Sequence, residues 1–165
     1  MTMIPDEIVE KTWREVASFD ASKARHSMGK ISKRQPALLA YVMAEMHESR
    51  PDAQELAVYL FYVVCRMFGR LPGHRLKKVS ISQVERRADE NEAMLERLEN
   101  ADDRFLKRAA QVEAESQPYV VRYLTEAILE GDDPDLEINE EESGLIFLVL
   151  KTVVDLLDEA CKKSR

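Results

Sequence analysis

LAVYLFYVVC occupies Leu56 to Cys65, ten residues without a charge. Pro51 stands at its entrance and Gly69 just beyond its end, which is the punctuation of a helix. A second stretch, Leu145 to Leu157, is almost as apolar. A helix that is apolar nearly all round has to be enclosed by others. Leu56 to Phe68 and Leu145 to Leu157 are therefore expected as central rods. Ten residues fall well short of the ~20 that a membrane-spanning helix needs.

The periodic segments around these rods are one-sided. Ile8, Val9, Trp13 and Val16 make one helical stripe behind Pro5, and Leu38, Leu39, Val42 and Met46 make another behind Pro36. Asp20 is a candidate N-cap for a helix reaching about Lys33, and Gly69 is expected at the left-handed C′ position of its helix. GRLPGH, Gly69 to His74, is the clearest loop. Ser82 with Glu85 and Asn139 with Glu142 have the spacing of capping boxes. Val84, Ala88, Leu95 and Leu98 continue with four-three spacing through Phe105, Ala109 and Val112, so residues 80–116 form one helix or two. Pro118 opens a helix that Gly131 closes, and the last helix is expected to run to about Lys162.

The expected fold is an all-α, compact bundle of about eight helices in a single domain, residues 1–165. A chain of 165 residues suits one domain, able to bury roughly 70% of its unfolded surface. Only five Gly and six Pro leave little material for the tight turns of an all-β fold.

A shift of 82 residues brings parts of the chain into register. Glu10 meets Glu92, Asp20 meets Asp102, Gln35 meets Gln117, Pro36 meets Pro118, Tyr41 meets Tyr123 and Glu48 meets Glu130. The expected repeat is 5–69 and 80–163, linked by 70–79, as two pseudo-symmetric four-helix halves around the central pair. Each Gln-Pro is read as a stop and restart of the helix, because the residue before proline is driven toward extended backbone and proline suits the first helical position. Gln is a weak N-cap, so its carboxamide is expected to satisfy a backbone group on a neighbouring helix. The other reading makes Gln35, Tyr41, Gln117 and Tyr123 two symmetric pockets for a ligand or partner peptide.

Chemistry-bearing motifs are missing. None of His26, His47 and His74 stands in a Glu-x-x-His or zinc-binding spacing, so no metal and no cofactor is expected. The run Glu126 to Glu142 holds nine acids and no Lys or Arg. It fails as a calcium loop, because an EF-hand starting at Asp133 would place Ile138 where glycine is required. No nucleophile elbow, P-loop or dinucleotide fingerprint occurs, and nothing in the sequence recommends an enzyme.

Net charge is −7, which opposes nucleic acid and anionic lipid as partners. Two basic clusters stand out against it. Arg66, Arg70, Arg75, Lys77 and Lys78 flank His74 with no acid between, and Lys23, Arg25, Lys30, Lys33 and Arg34 form the second. From Ile81 onward a faint helix-turn-helix pattern puts Asp89 and Glu90 where a small residue belongs.

The function expected is a non-catalytic protein-interaction or assembly module, binding a protein partner or another copy of itself. Its binding residues are sought among Gln35, Tyr41, Gln117, Tyr123, Arg66, Arg70, His74 and Arg75. The alternative is a small-molecule or lipid carrier with its pocket between the central helices, and the third is a DNA-binding regulator. Cys65 and Cys161 are read as free thiols, the N-terminus as lacking a signal peptide, and the protein as cytoplasmic without membrane attachment.

Overall fold

A computed structural model describes residues 3–99, 117–129 and 136–163. Seven helices are present among them: α1 (Asp6–Ala17), α2 (Ala21–Arg34), α3 (Pro36–Glu45), α4 (Pro51–Gly69), α5 (Ile81–Glu99), α6 (Pro118–Leu129) and α7 (Glu140–Ala160). The fold is an all-α bundle. The expected continuation of α5 through Phe105 to Val112, the closure at Gly131 and the start of the calcium-like loop at Asp133 lie outside the described residues.

Helices α4 and α7 are the centre. They pack against each other, with α1 and α3 laid on α4, and α5 and α6 laid on α7. The apolar run explains why: every residue from Leu60 to Cys65 is buried, so α4 is enclosed on all sides there. From α7, Ile146, Phe147, Leu150, Val153, Val154 and Leu157 fill the same core. Burying a large apolar side chain stabilises by roughly 1.5–3 kcal/mol, and this pair supplies a large part of the total. The outer helices cross between the halves: α1 packs on α6, and α5 packs on α3.

The central helices are also tied at both ends. At their starts, Arg50 ahead of α4 binds Glu142 in the first turn of α7, with Nη2 to Oε1 at 2.6 Å. Past their ends, β1 (His74–Leu76) pairs antiparallel with β2 (Cys161–Lys163), Arg75 opposite Lys162. The two helices therefore point the same way. This short ribbon was not foreseen, since three-residue strands leave no periodic signal.

Capping follows the sequence in most places. Asp20 accepts the Lys23 amide at 2.8 Å, and the Asn139–Glu142 box is complete. Pro36, Pro51 and Pro118 each open a helix. Two expectations are corrected. The box opening α5 uses Ser80 and Gln83 rather than Ser82 and Glu85: Ser80 N donates to Gln83 Oε1 at 2.9 Å. Glutamine serves as well as glutamate at that position, so the helix begins earlier. Gly69 is the last residue of α4 and has no left-handed backbone; among the described residues the glycine with positive φ is Gly73, at 72°.

Candidate functional site

The whole length of α1, the first half of α4 and the whole of α6 diverge enough to leave a cleft of about 1030 Å³. Its walls are aromatic. Trp13 of α1 stacks on Tyr123 of α6, ring centroids 6.4 Å apart and 12° from parallel. Tyr119 stands one turn before Tyr123, and Tyr59 comes from α4, with Val9, Leu56 and Leu60 as the floor. Tyr59 is 38% exposed and, with Glu55 one turn before it, brings the first half of α4 to the surface. Leu136 and Ile138, on the approach to α7, close one end.

The charges around the cleft are mostly negative. Asp6, Glu10, Glu55 and Glu126 line it, against one cation, Arg122. That cation is engaged: it binds Asp6 at 2.6 Å and lies over the Tyr119 ring at 5.2 Å. Glu10 pairs with Arg14 one turn on, at 3.2 Å, and Arg14 covers the outer face of Trp13. Glu55 and Glu126 are exposed and take no ion pair among the described residues. Burial pushes the pKa of the Tyr59 and Tyr123 phenols above the ordinary value, so both stay protonated and are able to donate hydrogen bonds.

The sequence-selected residues do not come together in one place. Tyr123 lines the cleft. Tyr41, its counterpart 82 positions earlier, does not line it; it lies partly buried against α7, where desolvation pushes its hydroxyl up to about 12, offset in part by the Thr152 side chain. Beside it is a buried polar cluster. Lys151 Nζ donates to Asn91 Oδ1 and Asp155 Oδ2, each at 2.8 Å, and Asn91 Nδ2 donates to Thr152 Oγ1 at 3.0 Å. The two tyrosines thus occupy different surroundings, one an open aromatic wall and the other a filled polar core.

Gln35 and Gln117 are both buried and both bind backbone, but of the segments leading into α5 and α1 rather than of a neighbouring helix as expected. Gln35 Nε2 donates to Lys77 O at 2.8 Å while its Oε1 accepts from Val79 N at 3.0 Å. Gln117 Oε1 accepts from Ile4 N at 2.9 Å and its Nε2 donates to Asp158 Oδ1 at 2.7 Å.

Arg66 and Arg70 share the carboxylate of Glu15, at 2.6 and 2.7 Å. The Arg70 hydrogen bond is the main reason that Glu15 titrates lower than usual. Arg66 also donates to Ser27 Oγ at 2.9 Å and lies over Phe19, which docks α2 beside the second half of α4. These two arginines are structural clamps rather than part of an open basic patch. His74 Nδ1 lies 2.8 Å from Pro72 O, and Arg75 is exposed on the β ribbon.

Sequence reasoning missed most of the cleft. Tyr119, Arg122, Tyr123 and Glu126 follow the i, i+3, i+4, i+7 spacing of a single helix face, and Glu55 with Tyr59 repeats the pattern on α4. That spacing was the available signal. Among the described residues no group of acids, histidines and cysteines is arranged to hold a metal, and no helix is long and apolar enough to cross a membrane. No protein-family model, no curated protein and no solved structure matches this chain.

Proposed function

We propose that the protein is a non-catalytic interaction module, and that the cleft between α1, α4 and α6 receives a cationic, amphipathic helix from a protein partner. One observation carries this reading: an aromatic-walled cleft whose uncommitted rim charges, Glu55 and Glu126, are carboxylates. Lysine and arginine suit such a wall twice over. Their methylene stems cover ring faces, and their charged heads reach the rim. Protonated tyrosines add donors for backbone carbonyls but no base for catalysis.

The same reading takes 1–165 as one domain in which 5–69 and 80–163 are copies of one four-helix unit. The reciprocal packing of α1 on α6 and α5 on α3 supports it. A reducing, cytoplasmic setting belongs to it too, in keeping with the unpaired Cys65 and Cys161. The carrier alternative draws less support. It needs a pocket between the central helices, and the cleft lies to one side, where α7 contributes only the residues leading into it.

The chain's single tryptophan, Trp13, sits in the cleft and reports its occupancy. Titration with an amphipathic helical peptide rich in Lys and Arg is expected to shift its emission saturably, and less so at high salt. Tyr123→Ala and the pair Glu55→Gln, Glu126→Gln are expected to weaken binding. Equal response to an acidic peptide of the same length, or indifference to these substitutions, would refute the reading.

A further inference from the structure

The chain itself carries a surface of the chemistry that the cleft selects. Helix α2 has five Lys and Arg and no acid, inside an acid-free run from Ala21 to Ala44. It is the one helix among those described that buries no residue fully. Met28 and Ile31 rest against the core, while Arg25, His26, Lys30 and Lys33 form an exposed stripe on the other face. None of these four has an ion-pair partner among the described residues.

Gly29 lies in the middle of that stripe. An added Cβ there would meet nothing within 4 Å, and the backbone is not left-handed. Glycine in the middle of an exposed helix weakens it relative to alanine, and nothing among the described residues requires it here. A second surface closing over α2 would use it, because a missing side chain lets that surface approach the helix backbone.

The cleft of the same copy is out of reach. Ser27 holds α2 beside Arg66 in the second half of α4, whereas the cleft is built on Glu55 to Leu60 in the first half. The lengths also correspond: α2 spans about 21 Å and α1, one wall of the cleft, about 18 Å. Resting on the reading of the cleft as a protein-binding surface, we infer that its partner is a second copy of this chain, whose α2 lies in the cleft with its cations against Glu55 and Glu126. The two surfaces are different patches, so the contact is heterologous and propagates head to tail into open chains or a ring.

Sedimentation velocity tests this on the whole protein. The mass is expected to rise with concentration at low salt and return to monomer at high salt. Arg25→Gln/Lys30→Gln/Lys33→Gln removes the stripe, and Glu55→Gln/Glu126→Gln removes the rim; each is expected to weaken association at least tenfold. Mixed, these two variants retain one intact stripe and one intact rim, so they form a heterodimer and nothing larger. Gly29→Gln, a better helix former, is expected to raise the melting temperature while weakening association. Association unaffected by the stripe variant, or a mixture without heterodimer, overturns the inference. A wild-type chain that stays monomeric yet binds the cationic peptide at Trp13 overturns it alone, whereas failure of both assays overturns the cleft reading as well.

Discussion

Gln117 accepts the backbone amide of Ile4 at 2.9 Å, across 113 residues of chain. Ile4 lies two residues ahead of α1, and Val79, held in the same way by Gln35, lies two residues ahead of α5. Each half of the chain thus fastens the lead-in of the other half's first helix. Both anchored residues are buried and stand ahead of their helices, where the intrahelical ladder supplies no carbonyl for the amide. A short N-cap side chain serves its own helix; the longer carboxamide spans to a neighbouring strand of chain and satisfies a donor and an acceptor together.

Gln35→Ala and Gln117→Ala each leave a buried amide without a partner. The expected cost is about 1–3 kcal/mol apiece, read by urea unfolding and as a lower melting temperature. Binding of the cationic peptide is expected to survive both. Loss of binding at unchanged stability would instead make the glutamines part of a recognition site.

The central pair was legible in the sequence because enclosure is a property of a single helix: a run such as Leu60 to Cys65 admits no exposed face. The Gln-Pro junctions were legible as helix boundaries for the same local reason. What the glutamines hold was not, since Ile4 and Lys77 to Val79 arrive from distant parts of the chain. The cleft was half legible. Tyr119 to Glu126 show their common face in the spacing, but the stacking of Trp13 on Tyr123 depends on how two helices cross. The clamp of Arg66 and Arg70 on Glu15 was hidden likewise, so two apparent members of an open basic cluster proved to be committed.

Stability should fall in acid through Glu142. The Arg50 hydrogen bonds hold its carboxyl down to about 2, against burial that acts the other way. A depressed folded value means that the stabilisation is complete above the ordinary 4.5 and is lost as pH falls through about 2. Glu15, lowered by Arg70, acts in the same direction. Glu142→Gln is therefore expected to be less stable than the wild type at neutral pH, and the two unfolding curves should converge as pH approaches 2. A constant gap down to that pH would show that the ion pair contributes nothing there.

Tyr62 should tolerate loss of its hydroxyl. The side chain is 2% exposed, and its Oη has no hydrogen-bond partner among the described residues. An unpaired buried polar group costs about 1–3 kcal/mol. Tyr62→Phe keeps the ring and removes that burden, so it is expected to be neutral or stabilising by about 1 kcal/mol in urea unfolding. A loss of similar size would mean that the hydroxyl is paired in solution.

Lys151 is the buried charge on which α5 depends. It contacts Asn91 of α5 and Asp155 of its own helix, and Asn91 in turn reaches Thr152 and Asp155. Removing one member of a buried ionic cluster leaves the rest uncompensated, at a cost of about 3–5 kcal/mol, whereas replacing the cluster with apolar residues of similar volume is often nearly neutral. Lys151→Ala is therefore expected to lose about that much, and the triple replacement Lys151→Met/Asn91→Leu/Asp155→Leu to recover most of it. Thr152 keeps its bond to Leu148 O in the triple variant, at 3.0 Å in the parent chain, so no hydroxyl is stranded. Equal losses in the single and triple variants would mean that the polar contacts fix how α5 sits on α7. A small loss in the single variant would mean that water reaches the cluster.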